Sequence, residues 1–285
     1  MSAIRPQRKR SITNIRAQKG GDPIICLTAY NAMMAEILDP HVDLLLVGDS
    51  AGTVLHGHDT TIPVTVEELI YHGRSVMRAN PKALVVVDVP FGSFEASPEQ
   101  AHATTTKILK ETGADAVKIE GGVAQAATID FLTQRGVPVM AHIGLRPQAV
   151  RATGGYRIVG KTPEECADLK QDAEAVAAAG AFALVLEGVV EPLAAEITAL
   201  IDIPTIGIGA SRHCDGQILV TEDMLGMFDR TPKFVRKFAN LKETISEAVK
   251  NYADEARARS FPGEEEVYRG DKKPIPLRLK QSQDR

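Results

Sequence analysis

The chain has 285 residues, of which 44% are hydrophobic and 25% charged, and its net charge is −4. This length suits one barrel domain of ~250 residues with short tails, and the composition is typical of a globular protein with a large core. The slightly acidic balance excludes a general attraction to nucleic acid or to an anionic membrane.

The sequence predicts neither a membrane span nor a secretory signal. No apolar run approaches the ~20 residues that cross a bilayer, and the basic start, Met1–Arg10, is not followed by an apolar stretch. Organelle transit peptides also begin with basic residues, but this start is short for one. The three cysteines are few, odd in number and far apart, which favours reduced thiols. We therefore expect a cytoplasmic protein that binds neither membrane nor nucleic acid.

Strand and helix signals alternate along the chain from residue 23 onward. A strand is predicted over Pro23–Tyr30, a helix over Ala32–Leu38, and a strand buried on both faces over Val42–Val47. Thr65-Val-Glu-Glu68 predicts a capping box that begins a helix. The next predicted strands end at Asp88, Glu120, His142, Glu187 and Gly209, and the helices between them begin near Ser97, Gly122, Thr162 and Glu191.

The last part of the chain is harder to assign. The segment Ile143–Lys161 holds four glycines and little periodicity, so we predict a long loop over the strand ends. The eighth strand is either Gln217–Thr221 or Lys233–Phe238, and a long amphipathic helix follows over Leu241–Arg259. We predict an α/β fold: one (β/α)8 TIM barrel over 13–260, with a basic lead over 1–12 and a charged tail over 261–285.

An ionisable side chain stands at or next to the end of five predicted strands. The C-terminal ends of barrel strands share one face, so these side chains should converge on one pocket. Three buried carboxylates repel one another unless protons or a cation offset their charge, and Mg²⁺ prefers oxygen ligands. Asp49, Asp88 and Glu120 therefore predict a site for Mg²⁺ or another divalent cation. The alternative is that each acid caps a helix or pairs with a nearby lysine or arginine.

Three further side chains are candidates for chemistry. Lys118 lies two residues before Glu120 and so on the same side of the strand, where an ammonium group would hold a substrate carboxylate or an oxyanion. Its alternative role is an ion pair with Glu120 or Asp88. His142 is either a hydrogen-bond donor to substrate or a core histidine. Glu187 follows an apolar run and is either a catalytic base or a loop-capping acid.

These groups together suit removal of a proton next to the carbonyl of an α-keto acid. A cation would bind the keto acid's oxygens and stabilise the enolate, and carbon–carbon bond formation or cleavage would follow. Zinc is not predicted: His56 and His58 form a His-x-His pair, but the sequence indicates no third ligand. Dinucleotide binding is also disfavoured, because no GxGxxG follows the first strand.

At these residues the chain closely resembles the ketopantoate hydroxymethyltransferase family. The resemblance extends in order over roughly residues 11–266. The matching motifs are Thr28-Ala-Tyr30, Val47-Gly-Asp-Ser50, Gly57-His-Asp59, Pro63-Val-Thr65, Asp88-Val-Pro90, Val117-Lys-Ile-Glu-Gly-Gly122, Gly154-Gly-Tyr156, Ile206-Gly-Ile-Gly-Ala210, Asp215-Gly-Gln217 and Phe261-Pro-Gly-Glu-Glu265.

The resemblance implies a barrel that transfers a hydroxymethyl group from 5,10-methylenetetrahydrofolate to 3-methyl-2-oxobutanoate, giving ketopantoate. It implies that Glu187 accepts the proton from C3 of the keto acid. It also implies a homo-oligomer, often a decamer. The implied substrate-binding residues are Asp49, Ser50, Asp88, Lys118 and His142, and the implied metal-site residues are Asp49, Asp88 and Glu120.

Two alternatives remain open on the sequence. One is a metal-dependent enolate lyase of the phosphoenolpyruvate/isocitrate-lyase type, although the Lys-Lys-Cys-Gly-His stretch of such lyases is absent. The other is a barrel that has kept its fold and only binds a metabolite. That second alternative requires at least one altered site position, whereas all the proposed residues are present.

Overall fold

A computed structural model describes residues 9–268 of the chain. The chain divides into two compact units, Met1–Phe238 and Ala239–Arg285. In the first unit every neighbouring strand pair is parallel, and the last strand pairs with the first, so the sheet closes into a barrel in chain order. The predicted barrel is confirmed. Its strands are β1 (Ile24–Thr28), β2 (Leu44–Val47), β3 (Leu84–Asp88), β4 (Ala116–Glu120), β5 (Val139–Gly144), β6 (Ala183–Glu187), β7 (Thr205–Ile208) and β8 (Gly216–Leu219).

Helices follow the strands and cover the outside of the barrel. Several begin at the caps that the sequence predicts: Thr65 and Glu68 form a reciprocal capping box, and Ser97 accepts a hydrogen bond from the Gln100 amide. The helices of the first unit are α1 (Ile12–Arg16), α2 (Ala32–Leu38), α3 (Ala51–Val54), α4 (Val66–Met77), α5 (Pro98–Thr112), α6 (Val123–Thr133), α7 (Val150–Thr153), α8 (Pro163–Ala178), α9 (Glu191–Leu200) and α10 (Thr221–Met224). The second unit contains α11 (Leu241–Ala258).

Alternation along each strand separates two apolar cores. In β3, Leu84 and Val86 belong to the cluster inside the barrel, whereas Val85 and Val87 pack with the surrounding helices. Because successive side chains point to opposite faces, the inward series of β3 continues to Asp88. The same period of two carries the inward face of β4 from Ala116 to Lys118 and Glu120. The interior of the barrel is thus apolar along most of its length. At the C-terminal ends of the strands, the inward-facing residues are ionisable instead.

Aspartates tie strand pairs together at the opposite, N-terminal end of the barrel. Three of them stand immediately before an even-numbered strand, and each carboxylate accepts a hydrogen bond from a backbone amide of the preceding strand. The pairs are Asp43 with Ile25 N at 2.9 Å, Asp115 with Val85 N at 2.9 Å, and Asp215 with Thr205 N at 2.8 Å. We call these three residues the pre-strand aspartates. They stabilise strand register on the face of a barrel that usually serves stability.

Asp215 has additional partners from the start of the chain. Its Oδ1 accepts a hydrogen bond from the Gly20 amide at 2.8 Å, and Lys19 Nζ lies 3.0 Å from its Oδ2. Burial would raise the pKa of Asp215, but hydrogen bonds from Thr205, Gly20 and Lys19 outweigh it and lower the pKa. This carboxylate therefore joins β7, β8 and the segment before β1.

The structure decides the segments that the sequence left open. The eighth strand is Gly216–Leu219, close to the first of the two alternatives. The segment predicted as one long loop contains a short 3-10 turn over Pro147–Ala149 and then α7. Proline begins the turn, and Gly154, at φ 72°, ends α7. These two residues delimit the segment, which has no apolar periodicity that would predict it from the sequence. No helix in residues 9–268 is long and apolar enough to cross a membrane.

The predicted tails lie largely outside the described residues. Residues 1–8 of the basic lead and 269–285 of the charged tail are not described. The described end of the lead adds α1, which begins at a Ser11–Asn14 capping box that the sequence prediction missed. The domain boundary predicted at residue 260 stays a prediction.

Candidate active site

The C-terminal ends of all eight strands surround a cavity of about 530 Å³. A cavity of this size suits a small-molecule ligand. The strand-end geometry brings together every side chain that the sequence predicted for the site. These residues are Asp49, Ser50, Asp88, Lys118, Glu120, His142 and Glu187.

Lys118 and Asp88 form a buried ion pair in adjacent strands. The two residues are register partners, and Lys118 Nζ lies 2.8 Å from Asp88 Oδ1. The other Asp88 oxygen accepts a hydrogen bond from the Asp49 amide at 2.9 Å. Burial by itself would lower the pKa of Lys118, but Asp88, Glu120 and Asp49 raise it above its usual value. Lys118 therefore remains a cation inside the cavity, and its ion pair with Asp88 is part of the site.

Gln148 connects two of the acids and was missed by the sequence analysis. It lies in the 3-10 turn after β5, and its side chain is buried. Its Nε2 donates to Asp49 Oδ2 at 2.9 Å and to the Val89 carbonyl at 3.0 Å, while its backbone amide donates to Glu120 Oε2 at 3.1 Å. Gln148 thus fixes the orientation of both carboxylates.

Asp49 and Glu120 differ in their electrostatic surroundings. Burial, together with Asp88 and Glu120, raises the pKa of Asp49 to about 8, despite opposing effects of Lys118 and Gln148. Burial would also raise the pKa of Glu120, but His142, Lys118 and the Gln148 amide lower it overall. Asp49 therefore keeps a proton at neutral pH unless another positive charge enters the cavity.

This imbalance and the all-oxygen donor set fit a divalent cation. Mg²⁺ uses one or two protein carboxylates and keeps several positions for water and substrate. The ligand oxygens of Asp49, Asp88 and Glu120 do not all lie within 4.8 Å of one another. Glu120 instead contacts Gln148 and His142. Asp49 and Asp88 are joined by a backbone hydrogen bond, and the cation site at Asp49, Asp88 and Glu120 stays a prediction.

His142 lies between two carboxylates and the lysine. Its Nδ1 is 3.5 Å from Glu120 Oε1 and 3.4 Å from Lys118 Nζ, and its Nε2 is 3.3 Å from Glu187 Oε2. Burial and Lys118 would lower the pKa of His142, but hydrogen bonds with Glu120 and Glu187 raise it to about 9. The two ring nitrogens thus face one glutamate each.

Glu187 ends β6 and is the most open of these acids. Its side chain is 17% exposed, compared with 4% for Glu120. Gly144, its register partner in β5, has φ 96°, and the following amide, Leu145 N, donates to the Glu187 carbonyl at 2.7 Å. The backbone of β5 thus packs directly against Glu187 and sets its position at the cavity.

Ser50 occupies the cavity edge next to a buried tyrosine. Its Oγ is 2.8 Å from the Tyr30 hydroxyl. Burial raises the pKa of Tyr30 above its usual value, so the phenol stays protonated. Tyr30 lies in one of the quoted motifs but was not predicted as a site residue, since its position after β1 became informative only once Ser50 was seen beside it.

Comparison with known proteins gives the family. The family profile described as ketopantoate hydroxymethyltransferase matches residues 9–264. The chain belongs to this family. A 3-methyl-2-oxobutanoate hydroxymethyltransferase of Sphingopyxis alaskensis is 55% identical over 93% of this chain and 92% of its own length. One from Maricaulis maris is 57% identical over 92% of this chain and 95% of its own length.

Solved structures of other proteins share the barrel. A 2,3-dimethylmalate lyase, a member of the PEP mutase/isocitrate lyase superfamily, has a TM-score of 0.56 at 18% identity and covers 92% of this chain and 91% of that one. A phosphoenolpyruvate phosphomutase from Streptomyces platensis has a TM-score of 0.57 at 14% identity, covering 87% and 88%. At such low identity these similarities establish the fold alone.

Proposed function

We propose that this cavity transfers a hydroxymethyl group from 5,10-methylenetetrahydrofolate to 3-methyl-2-oxobutanoate. The products are ketopantoate and tetrahydrofolate, and one water molecule is consumed. The observation that carries this proposal is the convergence of Asp49, Asp88, Lys118 and Glu187 on one cavity in a chain of this family. Ketopantoate is the intermediate that the family supplies to pantothenate biosynthesis.

Lys118 and Ser50 are proposed to hold the keto acid. The ammonium of Lys118 persists in the buried site because three carboxylates raise its pKa, so it attracts the substrate carboxylate and the developing enolate oxygen. The Ser50 hydroxyl, positioned by Tyr30 at 2.8 Å, supplies a neutral hydrogen bond at the cavity edge. His142, in the adjacent strand β5, is proposed to assist at the keto acid next to Lys118.

Glu187 is proposed as the base that accepts the proton from C3. The C3–H bond breaks and its electron pair forms the enolate. Water adds to the folate-borne methylene carbon and both of its C–N bonds break, which releases tetrahydrofolate and leaves a one-carbon aldehyde. The enolate carbon bonds to this carbon, and the carbonyl electron pair takes up the proton that Glu187 accepted, so that the oxygen becomes the product hydroxyl. Water supplies the hydroxyl oxygen of the product. Contact with His142 Nε2 at 3.3 Å keeps the Glu187 carboxylate directed at the cavity, and its partial exposure leaves room for substrate.

Asp49 and Asp88 are proposed to hold a divalent cation such as Mg²⁺. When bound, the cation draws electron density from the keto and carboxylate oxygens and so acidifies C3. The raised pKa of Asp49 supports this proposal, because a cation would replace the proton that the carboxylate otherwise keeps. Gln148 holds Asp49 in place through its Nε2.

Replacement of Glu187 by glutamine tests the base. Glu187→Gln should abolish exchange of the C3 hydrogen of 3-methyl-2-oxobutanoate into D2O, measured by NMR, because the amide cannot accept the proton. The matched control is Glu196→Gln in α9, whose carboxylate pairs with Lys170 outside the cavity. Wild-type exchange in Glu187→Gln, with the fold intact by circular dichroism, would remove Glu187 from this role.

Metal removal tests the proposed cation site. Exhaustive chelation should suppress ketopantoate formation, and added Mg²⁺ should restore it, since two buried carboxylates and Lys118 alone do not activate C3. Asp88→Asn should need far more Mg²⁺ for the same rate. Full activity in thoroughly chelated wild-type protein would refute the assignment.

Oligomerisation and cellular location stay predictions. Helix α11 has no buried residue within the chain and exposes Ile245, Val249 and Tyr252 along one side, which supports assembly into the predicted homo-oligomer, often a decamer in the family. Sedimentation equilibrium tests this expectation, and a monomer at micromolar concentration would contradict it. The lyase alternative has no observation in its favour beyond the shared fold.

A further inference from the structure

A second group of metal-ligating side chains lies beside the cavity without lining it. His56 and His58 stand in the segment between α3 and α4, and Glu68 stands in the first turn of α4. One ligand atom from each lies within 4.8 Å of the other two, and within residues 9–268 this is the only group of its kind. The structure thus supplies the third ligand that the His-x-His pair lacked in the sequence.

A chain of hydrogen bonds fixes which nitrogen of His56 is free. His72 Nδ1 lies 2.8 Å from the Tyr30 carbonyl. Because a carbonyl oxygen only accepts, Nδ1 must donate, and a neutral ring then carries its lone pair on Nε2. That atom lies 2.9 Å from His56 Nε2. His56 therefore donates from Nε2 and presents a lone pair on Nδ1.

The His56 lone pair faces a carboxylate oxygen with no proton between them. His56 Nδ1 is buried and has no hydrogen-bond partner, and it lies 3.6 Å from Glu68 Oε1. Two acceptors in this arrangement repel each other, and a buried acceptor without a partner is costly. A cation bound by both atoms removes both penalties.

Glu68 is held so that one oxygen remains available. Its Oε2 accepts hydrogen bonds from the Thr65 amide at 2.7 Å and the Thr65 hydroxyl at 2.8 Å. The capping box uses Oε2 and leaves Oε1 directed at His56 Nδ1, 3.6 Å away.

We propose that His56, His58 and Glu68 form a second metal site, which binds Zn²⁺ or a similar transition ion. Two imidazoles and a carboxylate match zinc and leave one position for water, whereas Mg²⁺ prefers oxygen ligands. His72 is the outer partner that sets the His56 tautomer, as is common for metal-bound histidines.

A metal at this site would restrict the movement of the segment that forms one edge of the active-site cavity. Asp59, which directly follows His58, and Thr61, two residues further on, both line the cavity. Linking this segment to α4 through a metal holds both residues in place. The outer hydrogen bonds continue through His72 to Tyr30, whose hydroxyl contacts Ser50.

Zinc retention in the presence of excess Mg²⁺ tests the proposal. The full-length protein is stripped of metal, given millimolar Mg²⁺ to fill the oxygen site, titrated with Zn²⁺, dialysed and measured by elemental mass spectrometry. We expect one Zn²⁺ per subunit. His72→Leu should weaken zinc binding by ~10–100-fold, and His56→Gln or His58→Gln should weaken it further. The exposed His41→Gln is the matched control and should bind zinc like the wild type.

Two further measurements locate the ion and exclude misfolding. Asp88→Asn should still retain Zn²⁺, and loss of zinc there would place the ion in the active site and overturn the proposal. Zinc should raise the melting temperature of the wild type and of His41→Gln but not of His56→Gln. Absence of zinc from the wild type would also overturn the proposal.

Discussion

Gln148 shows how one neutral side chain can organise a charged site. It donates from its side chain to Asp49 and from its backbone to Glu120, and both acids are buried. The hydrogen bond to Asp49 keeps that carboxylate oriented while its pKa lies well above the usual range. Gln148 touches none of the proposed reacting atoms, so we regard it as a positioning residue.

Replacing Gln148 by leucine should lower kcat/KM for the keto acid by about 10–100-fold. Hydrogen bonds to charged groups contribute about 1.5–3 kcal/mol, and leucine leaves the Asp49 oxygen without its donor. The rate of the Gln148→Leu variant should also rise less with added Mg²⁺ than the wild-type rate does. Steady-state kinetics at a series of Mg²⁺ concentrations would detect this difference. Gln134→Leu, an exposed position at the end of α6, is the control. Equal kcat/KM for both variants would refute the positioning role.

The sequence predicted the charged residues of the site but not Gln148. Asp88, Glu120 and Glu187 end apolar runs, and the period of two in β4 places Lys118 on the same face as Glu120. Gln148 is neutral and lies six residues beyond His142, in a segment without periodicity. Its partners were therefore visible only in three dimensions. Glu68 was likewise not predicted as the third ligand of the His-x-His pair, because the sequence does not show that it lies beside His56. Its predicted role in the capping box already accounted for it.

At the scale of elements, the contact between β5 and β6 sets the position of the proposed base. Gly144 has a positive φ, and a β-carbon there would overlap the Glu187 carbonyl oxygen and approach Val189 Cγ2 to 2.8 Å. The two strands can approach this closely only because residue 144 has no side chain.

Gly144→Ala should therefore lower kcat by about 100-fold, since a displacement near 1 Å can have an effect of this size. Gly136→Ala is a matched control, because Gly136 also has a positive φ (82°) but a β-carbon there would meet nothing within 4 Å. The control should lose about 1–2 kcal/mol of stability and keep its activity. Steady-state kinetics and urea unfolding of both variants separate the two effects. Unchanged kcat in Gly144→Ala would show that Glu187 tolerates the shift.

Elements with a cap or a continuous apolar run were predictable, and short elements without an apolar run were not. α5 was predicted because Ser97 begins it and apolar residues follow, and α2 was predicted from its Ala, Met, Glu and Leu residues; its Asn31 cap was seen only in the structure. β8 has only four residues, of which Gln217 is exposed, so its sequence barely differs from a loop. α7 has four residues and depends on Gly154 rather than on an apolar face.

At the scale of the whole molecule, carboxylates serve opposite purposes at the two ends of the barrel. Those at the C-terminal end crowd together around the cavity. The pre-strand aspartates at the N-terminal end each receive backbone hydrogen bonds and stabilise strand register. Substitutions at one end should therefore affect activity, and substitutions at the other should affect stability.

Asp215→Asn should destabilise the protein by about 2 kcal/mol at pH 7, as expected for hydrogen bonds to a charged group. Hydrogen bonds lower the pKa of Asp215 in the folded state below its usual value of 3.8. Its stabilising effect is thus fully present above that value and is lost as pH falls through the folded pKa. Urea unfolding at pH 7 and pH 3 should show a smaller difference between wild type and variant at pH 3. The exposed Asp202→Asn should match the wild type, and a difference that grows in acid would contradict this account.

The partners of Asp215 also bear on the order in which the chain can acquire its native contacts. Its bond to Thr205 spans 10 residues, whereas its bond to Gly20 spans 195. Loop closure costs entropy that rises with the logarithm of length, so the second contact is roughly 2–3 kcal/mol harder to close from an open chain. Bringing the segment before β1 to β8 is therefore the contact with the greatest entropic cost. We expect Asp215 to form its hydrogen bond with Thr205 first and its hydrogen bond with Gly20 afterwards.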